Sequence, residues 1–100
     1  MSFKIIESDT FKTELKGILH YLSHTYSHKV AEEYFLYLIG QLKSLMEFPY
    51  MWPVDGNPDF NEYRVMVSKK NLVFYKIDET TKTVICEIIA SSDQNYLNLK

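Results

Sequence analysis

Arginine is almost missing from this chain. Arg64 stands alone against ten lysines in a sequence of 100 residues with a formal net charge of −2. A generic nucleic-acid binder is expected to be strongly basic, so that class is disfavoured, although a local basic patch remains compatible with the balance. Cysteine also occurs once, which excludes an internal disulfide and suits a reducing compartment. Cys86 lies in the apolar run Val84 to Ala90 and reads as a small core residue rather than a nucleophile. No apolar run approaches the ~20 residues of a membrane span. The start, MSFKIIESD, is too short in apolar residues for a secretory signal and carries acids directly after them. A soluble, cytoplasmic protein is expected.

Proline and glycine are scarce, at three each, and they are unevenly placed. Pro49, Pro53, Pro58 and Gly56 all fall between Phe48 and Asn61. That window reads as a structureless connection of about a dozen residues, long for a small domain, with Trp52 and Phe60 pinning it to the body. What is abundant is apolar and aromatic side chain, 46% and 15% of residues, enough for one buried core and too much for a disordered chain. One domain over residues 1–100 is expected.

Periodicity supplies the elements. Phe3 to Glu7 alternates and reads as a strand. Ser8 or Asp9 can cap a following helix, whose stripe is Phe11, Leu15, Ile18, Leu19 and Leu22. Ser23 to Ser27 breaks the pattern, and Ser27 can cap a second helix. There Val30, Ala31, Tyr34, Leu38, Leu42, Leu45 and Met46 recur every three or four residues up to Pro49, and Phe35 and Ile39 widen the stripe. So short a link makes an antiparallel helical hairpin. Beyond the Pro-rich window, Tyr63 to Val67, Leu72 to Ile77 and Thr83 to Ala90 read as strands. The polar turns Ser68 to Asn71 and Asp78 to Lys82 join them into an antiparallel meander. The expectation is an α+β fold: an N-terminal strand and a two-helix hairpin packed on a three- to four-stranded, mainly antiparallel sheet.

Particular stretches carry a resemblance. Ala31-Glu32-Glu33-Tyr34, followed by Leu45 and Pro49, looks like the second helix of RelE/ParE toxins and its exit. Tyr63-Arg64-Val65-Met66-Val67 and Leu72 to Asp78 resemble that family's central hairpin, and Asn95-Tyr96-Leu97-Asn98-Leu99 its C-terminal signature. The resemblance covers nearly the whole chain. It implies the toxin of a type II toxin–antitoxin pair, silenced by an antitoxin wrapped around the fold. RelE-like members cleave mRNA on the ribosome; ParE-like members inhibit DNA gyrase without that catalytic set.

RNA cleavage by the 2′-hydroxyl requires a base, a cation at the crowded phosphate and an acid for the leaving oxygen. Arg64 matches the family's strand arginine, whose planar fork suits phosphate. It reads equally as an ordinary strand arginine paired with Glu62 or Glu87. Tyr96 matches the C-terminal tyrosine, or else anchors the tail. Aligned on Tyr96, the places for the family's His and Arg hold Ser91 and Gln94, and Asn95 replaces the acid. None of these residues carries a positive charge or shuttles a proton near neutral pH. Lys69, Lys70 and Lys76 are the candidate cations for a target or nucleic acid, although a Lys69-Lys70 turn pair is commonly a solvated edge guard.

His20, His24 and His28 are spaced four apart, which on one helix is a zinc-binding spacing. The break at Ser23 to Ser27 argues for a solvated row instead, and neither metal nor cofactor is expected. The leading reading is a ParE-like toxin that binds a protein target such as gyrase. The alternatives are a RelE-like ribonuclease acting on ribosome-bound mRNA with a divergent site, or a fold member without toxicity. In each, a cognate antitoxin is expected to dock on the sheet and hairpin, attracted by Tyr21, Tyr26, Tyr37 and Tyr50.

Overall fold

Ser8 decides where the first helix begins. In this computed structural model, which describes residues 2–54, 56 and 62–91, its Oγ accepts the Phe11 N–H at 2.9 Å. That bond satisfies one of the free donors of a helix N-terminus. The helices are α1, Asp9–Thr25, and α2, His28–Glu47, with Ser27 capping α2 in the same way. The strands are β1 (Lys4–Glu7), β2 (Arg64–Ser68), β3 (Asn71–Asp78) and β4 (Thr83–Ser91). They form one sheet in the order β1-β4-β3-β2. The meander β2-β3-β4 is antiparallel, whereas β1 runs parallel to β4. The α+β architecture is the expected one, with the sheet mixed through this single parallel pair.

The helical hairpin covers one face. Phe11 and Leu15 of α1, Tyr34, Leu38, Leu42 and Leu45 of α2, and Met66, Val73, Tyr75, Val84, Cys86 and Ile89 of the sheet form the buried core. Burying each large side chain contributes roughly 1.5–3 kcal/mol. Trp52 and Ile39 pack against this core, as their positions predicted; Phe60 lies outside the described residues. Val30 and Phe35 are exposed, so the α2 stripe is narrower than its spacing indicated.

Two local readings are corrected. α1 does not break at Ser23 but continues to Thr25, the Tyr26 N–H still bonding Leu22 O at 2.9 Å. Weak helix formers are tolerated there because the helix lies along α2 and β4. The second correction concerns the turn expected over Ser68 to Asn71, which is only Lys69-Lys70. Ser68 is buried and Asn71 starts β3, since the Tyr34 hydroxyl donates to Ser68 Oγ and the Asn71 amide donates to the Tyr34 hydroxyl, both at 3.0 Å.

β4 carries a bulge. Phe74 pairs with Ile88 but Tyr75 with Cys86, leaving Glu87 over. The backbone groups around it are taken up by side chains. Ser8 Oγ donates to Glu87 O at 2.8 Å, and Glu14 accepts the Ile89 N–H at 3.0 Å. The capping serine thereby also ties α1 to the sheet.

Candidate functional site

Arg64 begins β2, opposite Tyr75 on β3. Its Nη1 donates to Trp52 O at 2.6 Å, and its guanidinium lies over the Tyr50 ring, 4.9 Å from the centroid. Backbone contacts run alongside: Val54 bridges Arg64, and the Val65 N–H bonds Pro53 O at 3.1 Å. The buried Tyr75 hydroxyl donates to Pro49 O at 2.7 Å. Burial pushes this phenol up to about 12, against the pull of the Arg64 charge. Tyr50 in turn donates to the Glu79 carboxylate in the β3–β4 turn. Arg64 and Tyr75 together hold the chain that leaves α2 against the edge of the sheet.

Arg64 thus has neither of the carboxylate partners the sequence offered. Glu62 and Glu87 hold Lys76 instead, at 3.5 and 3.4 Å, and its ammonium sits 5.1 Å from the Tyr63 ring centroid. Burial pulls this lysine's pKa down, but Tyr63, Glu62 and Glu87 outweigh it and leave the group above its ordinary value. Adjacent strand residues point to opposite faces. Tyr75, and Arg64 across from it, share the helix-covered face, and Lys76 occupies the other.

Lys69 and Lys70 stand at the far end of β3, separated from Tyr75 by roughly 17 Å of strand. Lys69 adopts a left-handed φ of 56°, and its ammonium is 4.6 Å from the Tyr37 ring centroid. Lys70 lines a cavity of about 520 Å³ between α1 and the ends of β3 and β4, with Glu14, Tyr21, Tyr26 and Ser91 also on its wall. Burial raises the Glu14 carboxyl above its ordinary value, opposed by the bond from Ile89. Tyr96, Gln94 and Asn95 lie outside the described residues. The four described candidates therefore fall in three places rather than one cluster.

One surface is legible in the sequence only through Tyr50. Phe48, Tyr50, Met51 and Val54 are 66, 50, 55 and 50% exposed on the segment that Arg64 and Tyr75 hold down. Exposed apolar groups gathered in one patch mark interaction sites more than singly scattered ones do. The signal was the dense run Phe48-Pro49-Tyr50-Met51-Trp52-Pro53-Val54, which no periodicity assigns to the core. The edge of β2 beside it is partly closed, because Gln41 Nε2 bonds Val67 O at 2.9 Å and Pro53 takes the Val65 N–H.

Two helices on a four-stranded mixed sheet in this order make the fold of RelE/ParE toxins. A chain of the chromosomal ParDE toxin–antitoxin system from P. aeruginosa superposes with a TM-score of 0.74, covering 90% of this chain and 96% of that one at 11% identity. A chain of the toxin–antitoxin complex RelBE2 from Mycobacterium tuberculosis gives 0.62, covering 91% and 99%, also at 11% identity. At such identity the likeness is one of fold. No curated protein matches the sequence. Residues 5–95 match the family described as the ParE toxin of the type II toxin–antitoxin system parDE, and the chain belongs to that family.

Proposed function

We propose that this toxin acts in the cytoplasm by binding a protein target, DNA gyrase in the first instance, and not by cleaving RNA. The observation that carries this reading is the engagement of Arg64. The chain's one guanidinium is committed to the Trp52 carbonyl and the Tyr50 face. The cation that phosphate chemistry needs is thereby occupied in shaping a loop. Lys76 is held between two carboxylates, and Ser91 stands where a proton-shuttling side chain is wanted. Losing one contact to a developing charge costs roughly a hundredfold or more in rate.

In this reading Arg64 is a positioning residue that presents Phe48, Tyr50, Met51 and Val54 to the target, with Lys69 and Lys70 as further contacts and Lys76 contributing least. A cognate antitoxin masks the toxin. The two structural neighbours named above come from toxin–antitoxin systems, and Tyr21, Tyr26, Tyr37 and Tyr50 are exposed here. The product of the adjacent gene should copurify with the chain. Among the described residues no helix is long and apolar enough to cross a membrane.

The test is induced expression in a susceptible bacterium, reading growth, transcript ends and plasmid supercoiling together. Growth arrest with loss of supercoiling and intact transcripts is expected. Cuts at ribosome-occupied codons, or growth unaffected by the chain, contradict the proposal.

A further inference from the structure

The continuation of α1 to Thr25 changes the meaning of the histidines. His20 and His24 now lie on one helix, one turn apart and on one face. Both are exposed, their ring centroids are 4.2 Å apart, and the rings are inclined by 47°. Among the described residues neither ring has a hydrogen bond or ion pair, so their nitrogens are available to a ligand. His28 is not part of this pair. It opens α2, with Nδ1 2.5 Å from Ser23 Oγ.

We propose that His20 and His24 form a two-imidazole site for a divalent transition-metal ion at the tip of the helical hairpin. Two histidines four residues apart on a helix are a recurrent ligand pair for zinc. Neutral imidazole suits Cu²⁺, Ni²⁺ and Zn²⁺, with Cu²⁺ bound most tightly, whereas Mg²⁺ prefers oxygen ligands. No third His, Cys, Asp or Glu joins the pair among the described residues, so water completes the coordination. The ion clamps the last two turns of α1. Those turns also carry Tyr21 and Leu22, and lead directly into Tyr26, on the wall of the 520 Å³ cavity. Metal occupancy therefore stiffens that wall from outside, far along the molecule from Arg64.

The experiment titrates the full chain with CuCl₂, NiCl₂, ZnCl₂ and MgCl₂ separately at neutral pH, recording the thermal midpoint and the copper–imidazole absorption. A rise in Tm on the order of 10–20 °C is expected at a hundredfold excess over Kd, largest for Cu²⁺ and absent for Mg²⁺. His20→Gln and His24→Gln should each abolish it, and His28→Gln should keep it. A shift or absorption band that persists in the folded His20→Gln/His24→Gln double variant overturns the proposal. So does the absence of any shift or band with Cu²⁺ in the unaltered chain.

Discussion

Replacing Arg64 by Ala separates a guanidinium used for structure from one kept free for phosphate. The structure shows what is lost: a charge-assisted bond of 2.6 Å to Trp52 O and a ring contact at 4.9 Å to Tyr50. A hydrogen bond to a charged group contributes about 1.5–3 kcal/mol. A cation over an aromatic face adds about 0.5–1 kcal/mol at an exposed site. Arg64 is only partly buried, so the low end of both applies, and the expected destabilisation is about 2 kcal/mol. In a domain of this size each kcal/mol moves Tm by roughly 4–8 °C, which predicts a fall of about 10 °C by circular dichroism. Tyr75→Phe removes the second tie, to Pro49 O, and should cost about 1–3 kcal/mol by leaving a carbonyl unpaired. Both variants loosen one segment, so their double-mutant cycle should show coupling of about 0.5 kcal/mol or more. If Arg64→Ala stays within about 0.5 kcal/mol of the unaltered protein, as an uninvolved surface position does, the clamp is refuted.

Two further outcomes follow from groups the proposed function does not use. Burial pushes the Cys86 thiol up to about 12, so iodoacetamide at mildly alkaline pH should leave the folded chain unmodified and alkylate it fully in urea, as read by mass spectrometry. Glu14 has a raised carboxyl pKa from burial, so the folded state favours its protonated form. Its stabilising contribution is present below the ordinary value of 4.5 and is lost as pH rises through the raised folded value. Gln at this position keeps an acceptor for the Ile89 N–H without the charge. Glu14→Gln should therefore be the more stable protein near pH 7, with the difference closing below about pH 4 in urea titrations. A variant less stable than the unaltered protein at pH 7 contradicts this.

The elements were legible because each has a clean local signal. Ser8 and Ser27 mark helix starts, the stripes from Phe11 and from Ala31 keep helical spacing, and β2 to β4 are separated by polar turns. What was hidden rests on contacts distant in sequence. Nothing local to Lys4–Glu7 says that it pairs in parallel with β4. The continuation of α1 through Ser23, His24 and Thr25 rests on the packing of the helix as a whole along α2 and β4, since His24 and Thr25 are themselves exposed. Arg64 stands out in the sequence as the single arginine, but its partners do not. They lie on a segment whose place is set by Tyr75 and by the backbone contacts of Pro53 and Val54 with β2. Apart from Tyr50, the exposed patch at Phe48 to Val54 was hidden for the same reason, since apolar residues in an aperiodic run carry no periodic signal of their exposure.

Protein contact rather than RNA cleavage is the mode of action proposed for this toxin. The direct measurement is a supercoiling assay of purified DNA gyrase with added toxin, run beside a translation extract probed for mRNA ends. Inhibition of supercoiling that the cognate antitoxin relieves, with no new mRNA ends, is predicted. Unimpaired supercoiling together with cuts in ribosome-bound mRNA would contradict it.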